Sequence, residues 1–468
     1  MWLADGARDD TALVHPDGSG LTYRDLDRRS AGWRRLLSGL GTRSLVVLFA
    51  RADVDTVLCY LSCLDTGHAV LCADPRLTPA AVDRLVTAYR PELLVRPPAP
   101  PTAGYRPDGD LFRRIAPDAG PPIHDDARLL LLTSGSTGCP KAVTLSAHNL
   151  LSNADSIVAA LGITRHDRAI TSLPLHYCYG LSVLNSHLRA GGSVTLTTAP
   201  SSGREFLRVL HGTGVTSVAG VPLTYQALLR SLTARWPTEL RSLTQAGGFL
   251  APDLRDALRT TAERHEARLF LMYGQTEATA RISVLDARAH PDRVGTVGRA
   301  VPGGRLSLAP DGEVLYQGPN VMLGYAADRA DLARGDRLSG LLRTGDLGSL
   351  SADGFLTLTG RVRRIAKIAG RRVSLDEVEQ ALGTAARPVA AVPDAAGIVV
   401  YCAGDPTGTR RRLGPMCREL GIPAPAVRVA ALPELPLTPA RKIDYPRLVA
   451  LTAGAGLTGG AERGAGHG

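Results

Sequence analysis

Ser44 to Phe49 and Ala69 to Cys72 are short unbroken apolar runs, and Val54 to Leu64 between them carries apolar side chains at helical spacing. Strand, helix, strand in so short a stretch is a β-α-β unit, and it commits the chain to a parallel α/β architecture. Before it, Ala12 to Val14 reads as a strand, and a helix from about Tyr23 presents Leu26, Trp33, Leu36 and Leu37 on one side. After it, the Pro-rich stretch Arg96 to Pro107 is expected to be loop, and Leu129 to Leu132 is a third apolar run. Further on, Leu347 to Gly360 reads as a strand, a turn at Ser351-Ala-Asp-Gly354 and a second strand, Phe355 to Leu358. A smaller α/β unit follows, whose helix is announced by a capping box, Ser374-x-x-Glu377, ahead of Val378 and Leu382.

Composition narrows the functional classes. Of 468 residues 44% are hydrophobic and 21% charged, with a mean hydropathy of +0.01, which excludes a disordered chain and a membrane-spanning one. The opening residues have neither a basic region nor an apolar one of secretory type, so the cytoplasm is the expected compartment. Seven cysteines form no C-x-x-C pair and are expected as buried free thiols. The net charge of +10 is carried by scattered arginines with 4% aromatic residues, so no nucleic-acid stripe is present. Three lysines (Lys141, Lys367 and Lys442) stand against 51 arginines. An ammonium is a compact point charge suited to a phosphate or a reacting carboxylate, so these three are candidates for function.

The third apolar run enters Thr133-Ser134-Gly135-Ser136-Thr137-Gly138-Cys139-Pro140-Lys141, read as a loop that precedes a helix capped by Ser146. Its small residues let amides and hydroxyls converge on one anion, with charge from Lys141, although the Walker A spacing does not fit. Tyr273-Gly274-Gln275-Thr276-Glu277 follows a strand-like Arg268 to Met272, at the strand end where open α/β sheets bind ligands. There Tyr273 offers a ring for a base, Thr276 a hydroxyl for a phosphate and Glu277 a hard carboxylate for Mg²⁺. Arg343-Thr-Gly-Asp346 is expected to put a carboxylate after a tight turn, suited to ribose hydroxyls.

These segments, in this order from Leu21-Thr-Tyr-Arg-Asp-Leu26 to Leu435-Pro-Leu-Thr-Pro-Ala-Arg-Lys442, resemble the motifs of the AMP-forming adenylating enzymes. That superfamily holds the acyl-CoA synthetases, peptide-synthetase adenylation domains and luciferases. The resemblance implies a large N-terminal multi-sheet α/β domain over residues 1–362 and a small mobile C-terminal α/β domain over 363–451. The Gly- and Ala-rich tail 452–468 is expected to be disordered. It implies ATP and Mg²⁺ with coenzyme A as co-substrate, Lys442 as the transition-state cation, and Arg361 and Lys367 as further site cations. Gly247 and Gly248 match the backbone wall beside adenine and the acyl group.

Substrate choice is assigned to Leu173–Leu181, with His176, Tyr177, Cys178, Tyr179 and Gly180, and to Val221. Amino-acid-activating relatives place an Asp for the α-ammonium where Cys178 stands, so the expected substrate is a small carboxylic acid without an α-amino group. His176 is open between pocket wall and core. The expected reaction is acyl-adenylate formation with pyrophosphate release, then transfer to coenzyme A. The alternatives are loading of a carrier protein's pantetheine, an unusual acid such as nitrite, or a non-thiol acceptor, and a homodimer stays open. An idle nucleotide-binding protein is the reading from another class, opposed by Lys442, Glu277 and Asp346. Arg441 replaces a frequent Gly, Arg363 replaces the usual hinge Asp or Lys, and the first motif lies unusually near the start. The two arginines bear on domain rotation and the second half-reaction.

Overall fold

The computed structural model describes residues 8–41, 43–115, 120–133, 141–362, 364–368, 371–384, 386–394, 397–420, 422–438 and 442–455. The first β-α-β unit forms as read: Leu45–Phe49 and Ala69–Ala73 pair in parallel, Leu45 opposite Ala69, across the helix Val54–Asp65. Every residue of both strands is buried, as a parallel strand covered on two faces requires. Val46 and Leu48 pack to one side with Leu129 and Leu131, and Leu45, Val47 and Phe49 to the other with Leu130, the two-residue alternation of a pleated strand.

Among the described residues these strands belong to an eight-stranded sheet, and a nine-stranded sheet lies across from it. Helices Tyr23–Ser38, Val54–Asp65, Ala147–Leu161 and Cys178–Arg189 fill the space between the two. Helix Pro79–Tyr89 covers the outer face of the first sheet, and Arg204–Gly212, Pro222–Ala234 and Pro252–Arg264 that of the second. A four-stranded antiparallel sheet follows, ending in the hairpin Leu341–Leu350 and Leu356–Arg361. The smaller unit is a two-stranded and a three-stranded sheet with helices Leu375–Leu382, Thr407–Leu420 and Tyr445–Ala455. Arg364 anchors it, stacking 4.0 Å over Tyr445 and bonding Glu379 at 2.6 Å.

The structure corrects several expectations. The segment after Thr133 does not lead directly to a helix: Lys141–Ser146 is a strand that turns back on Ala127–Thr133, and only then does Ser146 cap Ala147–Leu161. Within the Pro-rich stretch, Tyr105–Asp108 is a strand at the sheet's edge, where Pro107 removes no ladder bond that the sheet needs. Asp346 lies inside the strand Leu341–Leu350, beside a register shift between Leu347 and Gly348, rather than after a tight turn. Ser374 accepts from the Glu377 amide without the reciprocal half of the capping box; among the described residues Thr22 with Asp25 and Ser146 with Asn149 form complete boxes. The first residues of the expected disordered tail belong to helix Tyr445–Ala455, because Thr452 falls one turn after Leu448 and is buried against Tyr401, 2.9 Å between hydroxyls. Among the described residues five cysteines are buried free thiols and Cys178 is half-buried. Ser134 to Pro140, with Gly135, Ser136, Thr137 and Gly138, lie outside the described residues, as do Arg363 and Arg441.

Candidate functional site

Adjacent parallel strands of the nine-stranded sheet, Ser217–Gly220, Ser242–Gln245 and Arg268–Tyr273, end side by side and release Val221, Ala246–Gly248 and Gly274–Glu277 at one edge. Carboxyl ends of parallel strands are where such sheets take ligands. Two of the glycines there are demanded by space. A Cβ on Gly274 would lie 1.7 Å from the Ala280 carbonyl oxygen, and Gly247, at φ +82°, would set one 2.7 Å from the Tyr177 hydroxyl.

Asp346 is the hub of one side. Tyr273 donates to its Oδ2 at 2.5 Å, Gln275 donates to the same oxygen at 2.9 Å, and Arg361 Nε lies 2.9 Å from Oδ1. Burial first, and the Asp346 carboxylate second, raise the Tyr273 hydroxyl well above its ordinary value, so it stays a donor. The Tyr273 ring is itself buried with Ile282, Val314 and Leu342, leaving 7% of the residue exposed.

Beside this hub, Glu277 Oε1 accepts from Tyr325 at 2.7 Å, and the Lys141 ammonium sits 3.5 Å over the Tyr325 ring. Tyr325 reaches both because Gly324–Ala326 pairs antiparallel with the start of Lys141–Ser146. Thr276 donates to the Cys178 sulfur at 3.2 Å. Burial pushes the Cys178 thiol up, so it stays neutral at pH 7 and offers no counter-charge to an ammonium. Among the described residues no cluster of three His, Cys, Asp or Glu side chains forms a metal cage. A hard carboxylate with a lysine nearby fits Mg²⁺, which is commonly held by one or two carboxylates together with substrate phosphates.

Lys442 comes from the other unit. Pro436 and Thr438 close a small turn around it: the Asp444 amide donates to Pro436 O at 2.8 Å and the Lys442 amide to the Thr438 hydroxyl at 3.2 Å. The residue as a whole is exposed, while its ammonium lies 5.2 Å from the centre of the Tyr177 ring. Desolvation at that end, helped by Arg361, holds its pKa below the ordinary lysine value against the opposing pull of the Glu277 and Asp346 carboxylates.

The segment Leu173–Leu181 is tightly packed. Tyr177 and Tyr179 meet edge to face at 6.3 Å between centroids, and Tyr179 donates to Thr244 O at 2.7 Å. Gly180 has no room for a side chain, since a Cβ would lie 2.2 Å from Pro174 O, and Val221 is buried against Tyr179. His176 is not part of this wall: its Nε2 turns toward Asp74 Oδ2 at 3.6 Å, and burial holds its pKa below the usual histidine range. Gly248 packs on Pro222. Lys367 lies on the strand Ile365–Ile368, opposite Arg372, and Thr133 ends its strand opposite Lys141. A cavity of about 520 Å³ lined by Asp125, Arg128, His148 and Asp336 is elsewhere and contains none of these residues.

Sequence reasoning did not find Tyr325, Asp74 or Arg281. Tyr325 lies in no motif, and its place is set by strand pairing alone. Arg281 is one arginine among 51, distinguished only by being 2% exposed.

Comparison with known proteins gives the family and the fold. Residues 2–326 match the family model described as AMP-binding enzyme. A feruloyl-CoA synthase of Amycolatopsis sp. is 30% identical over 82% of this chain and 83% of its own. A 2-succinylbenzoate–CoA ligase of Bacillus velezensis is 32% identical over 55% of this chain, and a probable non-canonical nonribosomal peptide synthetase of Salinispora arenicola is 30% identical over 94% of it. The matched regions span 53% of that ligase and 6% of that synthetase. The fold is that of an anthranilate CoA ligase solved with anthranoyl-AMP, with a TM-score of 0.79 at 20% identity over 97% of this chain and 96% of that one. A strand edge bearing Tyr273 to Glu277, a carboxylate hub at Asp346 and a lysine delivered by a second unit occur here on a chain whose first two thirds fit one family, and the protein belongs to the AMP-binding enzymes.

Proposed function

We propose that the chain activates a carboxylic acid lacking an α-amino group as its acyl-adenylate and passes the acyl group to a thiol, with coenzyme A the leading acceptor. The observation that carries this reading is the Lys442 ammonium, brought by the smaller unit to Tyr177 and Gly247. In that place it bridges an acid held along Tyr177–Tyr179 and a nucleotide held at Asp346 and Gly274–Glu277.

An oxygen of the acid attacks the α-phosphorus of ATP, a P–O bond forms as the bond to the β-phosphate bridge breaks, and pyrophosphate leaves. Two anions must approach each other, so a cation between them lowers the barrier most where the charges are closest. Asp346 is the acceptor for ribose hydroxyls, which replace Arg361 at Oδ1. Gly247 and Gly248 leave the backbone open to adenine and the acyl group, and we assign phosphate binding to Lys141 and Arg361, with Thr133 to Gly138 and Lys367 as the motif residues expected to share it. Glu277 would hold Mg²⁺, whose charge screens the triphosphate. The neutral Cys178 favours acids without an α-ammonium. We assign residues 1–362 to the nucleotide- and acid-binding domain and 363–451 to the domain that carries Lys442.

A second reading, transfer to the pantetheine of a carrier protein, is favoured by the match to a nonribosomal peptide synthetase over 94% of this chain. The direct test is acid-dependent ATP–pyrophosphate exchange with hydroxylamine trapping, repeated with Lys442→Ala. Exchange and hydroxamate in the unaltered protein, lost in the variant while ATP still binds, support adenylation; exchange untouched by the variant removes Lys442 from the reaction. Coenzyme A and a phosphopantetheinylated carrier, offered separately to the adenylate, then decide between the acceptors.

A further inference from the structure

Arg281 is among the most deeply buried large side chains of the protein, 2% exposed, and no carboxylate pairs with it among the described residues. Its Nε donates to the Met272 sulfur at 3.3 Å, a weak acceptor, and its guanidinium carbon lies 4.0 Å over the centre of the Tyr179 ring. The other four N–H groups of the fork find no acceptor among the described side chains or backbone. Burial is the first influence on this group and pulls its pKa down, yet an arginine stays protonated. A guanidinium taken out of water without an anion is unfavourable and is ordinarily paired.

Its surroundings say where the missing acceptor belongs. Tyr179 shares with Cys178 the segment Tyr177–Tyr179, along which the proposed reading holds the acid, and the cluster around it contains Val221, Ala246 and Met272. Lys442 stands over Tyr177 at one end of the segment and Arg281 over Tyr179 at the other, with the two rings 6.3 Å apart.

We propose that the acid is compact and carries a second acidic oxygen group, a dicarboxylic acid in the simplest case, whose distal carboxylate pairs with the Arg281 fork. This rests on the adenylation reading and adds the substrate class. Planar guanidinium and carboxylate match in bidentate fashion, and a buried fork left empty by an apolar analogue discriminates strongly against it.

The test is pyrophosphate exchange with matched pairs of acids, each diacid against the acid in which its distal carboxylate is a methyl group: succinate with butyrate, glutarate with valerate, phthalate with 2-methylbenzoate. The expected result is a kcat/KM ratio of about 100 or more in favour of one diacid over its methyl partner. In Arg281→Met the ratio falls towards unity, and Arg281→Lys keeps a preference for the diacid. If Arg281→Met does not fold, Arg281→Gln and the ratio in the unaltered protein decide. Exchange with the methyl acids at equal or higher kcat/KM, or a ratio unmoved by the Arg281 variants, overturns the substrate class and leaves adenylation standing. Absence of exchange with every acid while ATP binds overturns the adenylation reading itself, and this inference with it.

Discussion

At the scale of the residue, the site depends on groups whose charge is set by what surrounds them. Lys442 is protonated below its pKa, and because desolvation lowers that pKa, the cation is lost at a lower pH than for an ordinary lysine. The kcat/KM profile for adenylation reports the free enzyme, so its alkaline limb should fall early, and Lys442→Arg, which cannot deprotonate, should flatten that limb. A limb unchanged in the arginine variant assigns the titration to another group. Tyr325→Phe removes the donor that orients Glu277 Oε1 and should raise the Mg²⁺ concentration for half-maximal exchange on the order of tenfold. An unchanged Mg²⁺ requirement would separate Glu277 from the metal. Glu277 and Lys442 were legible because they sit inside motifs with a local chemical logic. Tyr325 and Arg281 were not, because their meaning comes from neighbours remote in sequence.

At the scale of the element, two glycines show how local geometry decides a substitution. Gly32 lies exposed in the helix Tyr23–Ser38 with nothing near its missing Cβ, so Gly32→Ala should stabilise the protein by about 0.5–1 kcal/mol in urea unfolding. Gly274 faces the Ala280 carbonyl at 1.7 Å, and Gly274→Ala must displace the turn that carries Gln275, Thr276 and Glu277. A loss of about 1–3 kcal/mol is expected together with loss of adenylation, and a variant as stable and active as the parent would refute that packing argument. Helix Tyr23–Ser38, the strands Leu45–Phe49 and Ala69–Ala73 and the hairpin after Leu341 were readable from period and turn chemistry. The strand Lys141–Ser146 was not, because its polar start resembles a loop and only the partner Ala127–Thr133 makes it a strand.

At the scale of the whole molecule, the buried histidines couple folding to pH. His68 accepts from the Ser44 amide at 3.0 Å, His187 bonds Val183 O and the Ser217 hydroxyl, and His176 lies near Asp74; burial lowers all three below the ordinary value. Between their folded pKa values and the unfolded value of about 6.5, the unfolded chain binds more protons, so each histidine contributes stability that rises with pH and is lost on acidification through that window. His187→Gln should therefore reduce the gain in urea midpoint between pH 6 and pH 7.5, and an undiminished gain would show that His187 is not coupled to folding. The order of apolar runs was enough to establish the α/β class, because period and turn residues act over a few neighbouring positions, and the motifs singled out the strand end at Tyr273 to Glu277 and the three lysines as candidates for function. The orientation of His176 toward Asp74, the enclosure of Asp346 by Tyr273, Gln275 and Arg361, and the burial of Arg281 on Tyr179 were decided by tertiary structure. Each depends on segments far apart in the chain meeting in a desolvated space, and desolvation, which sets what a charge there requires, is a property of the packed molecule alone.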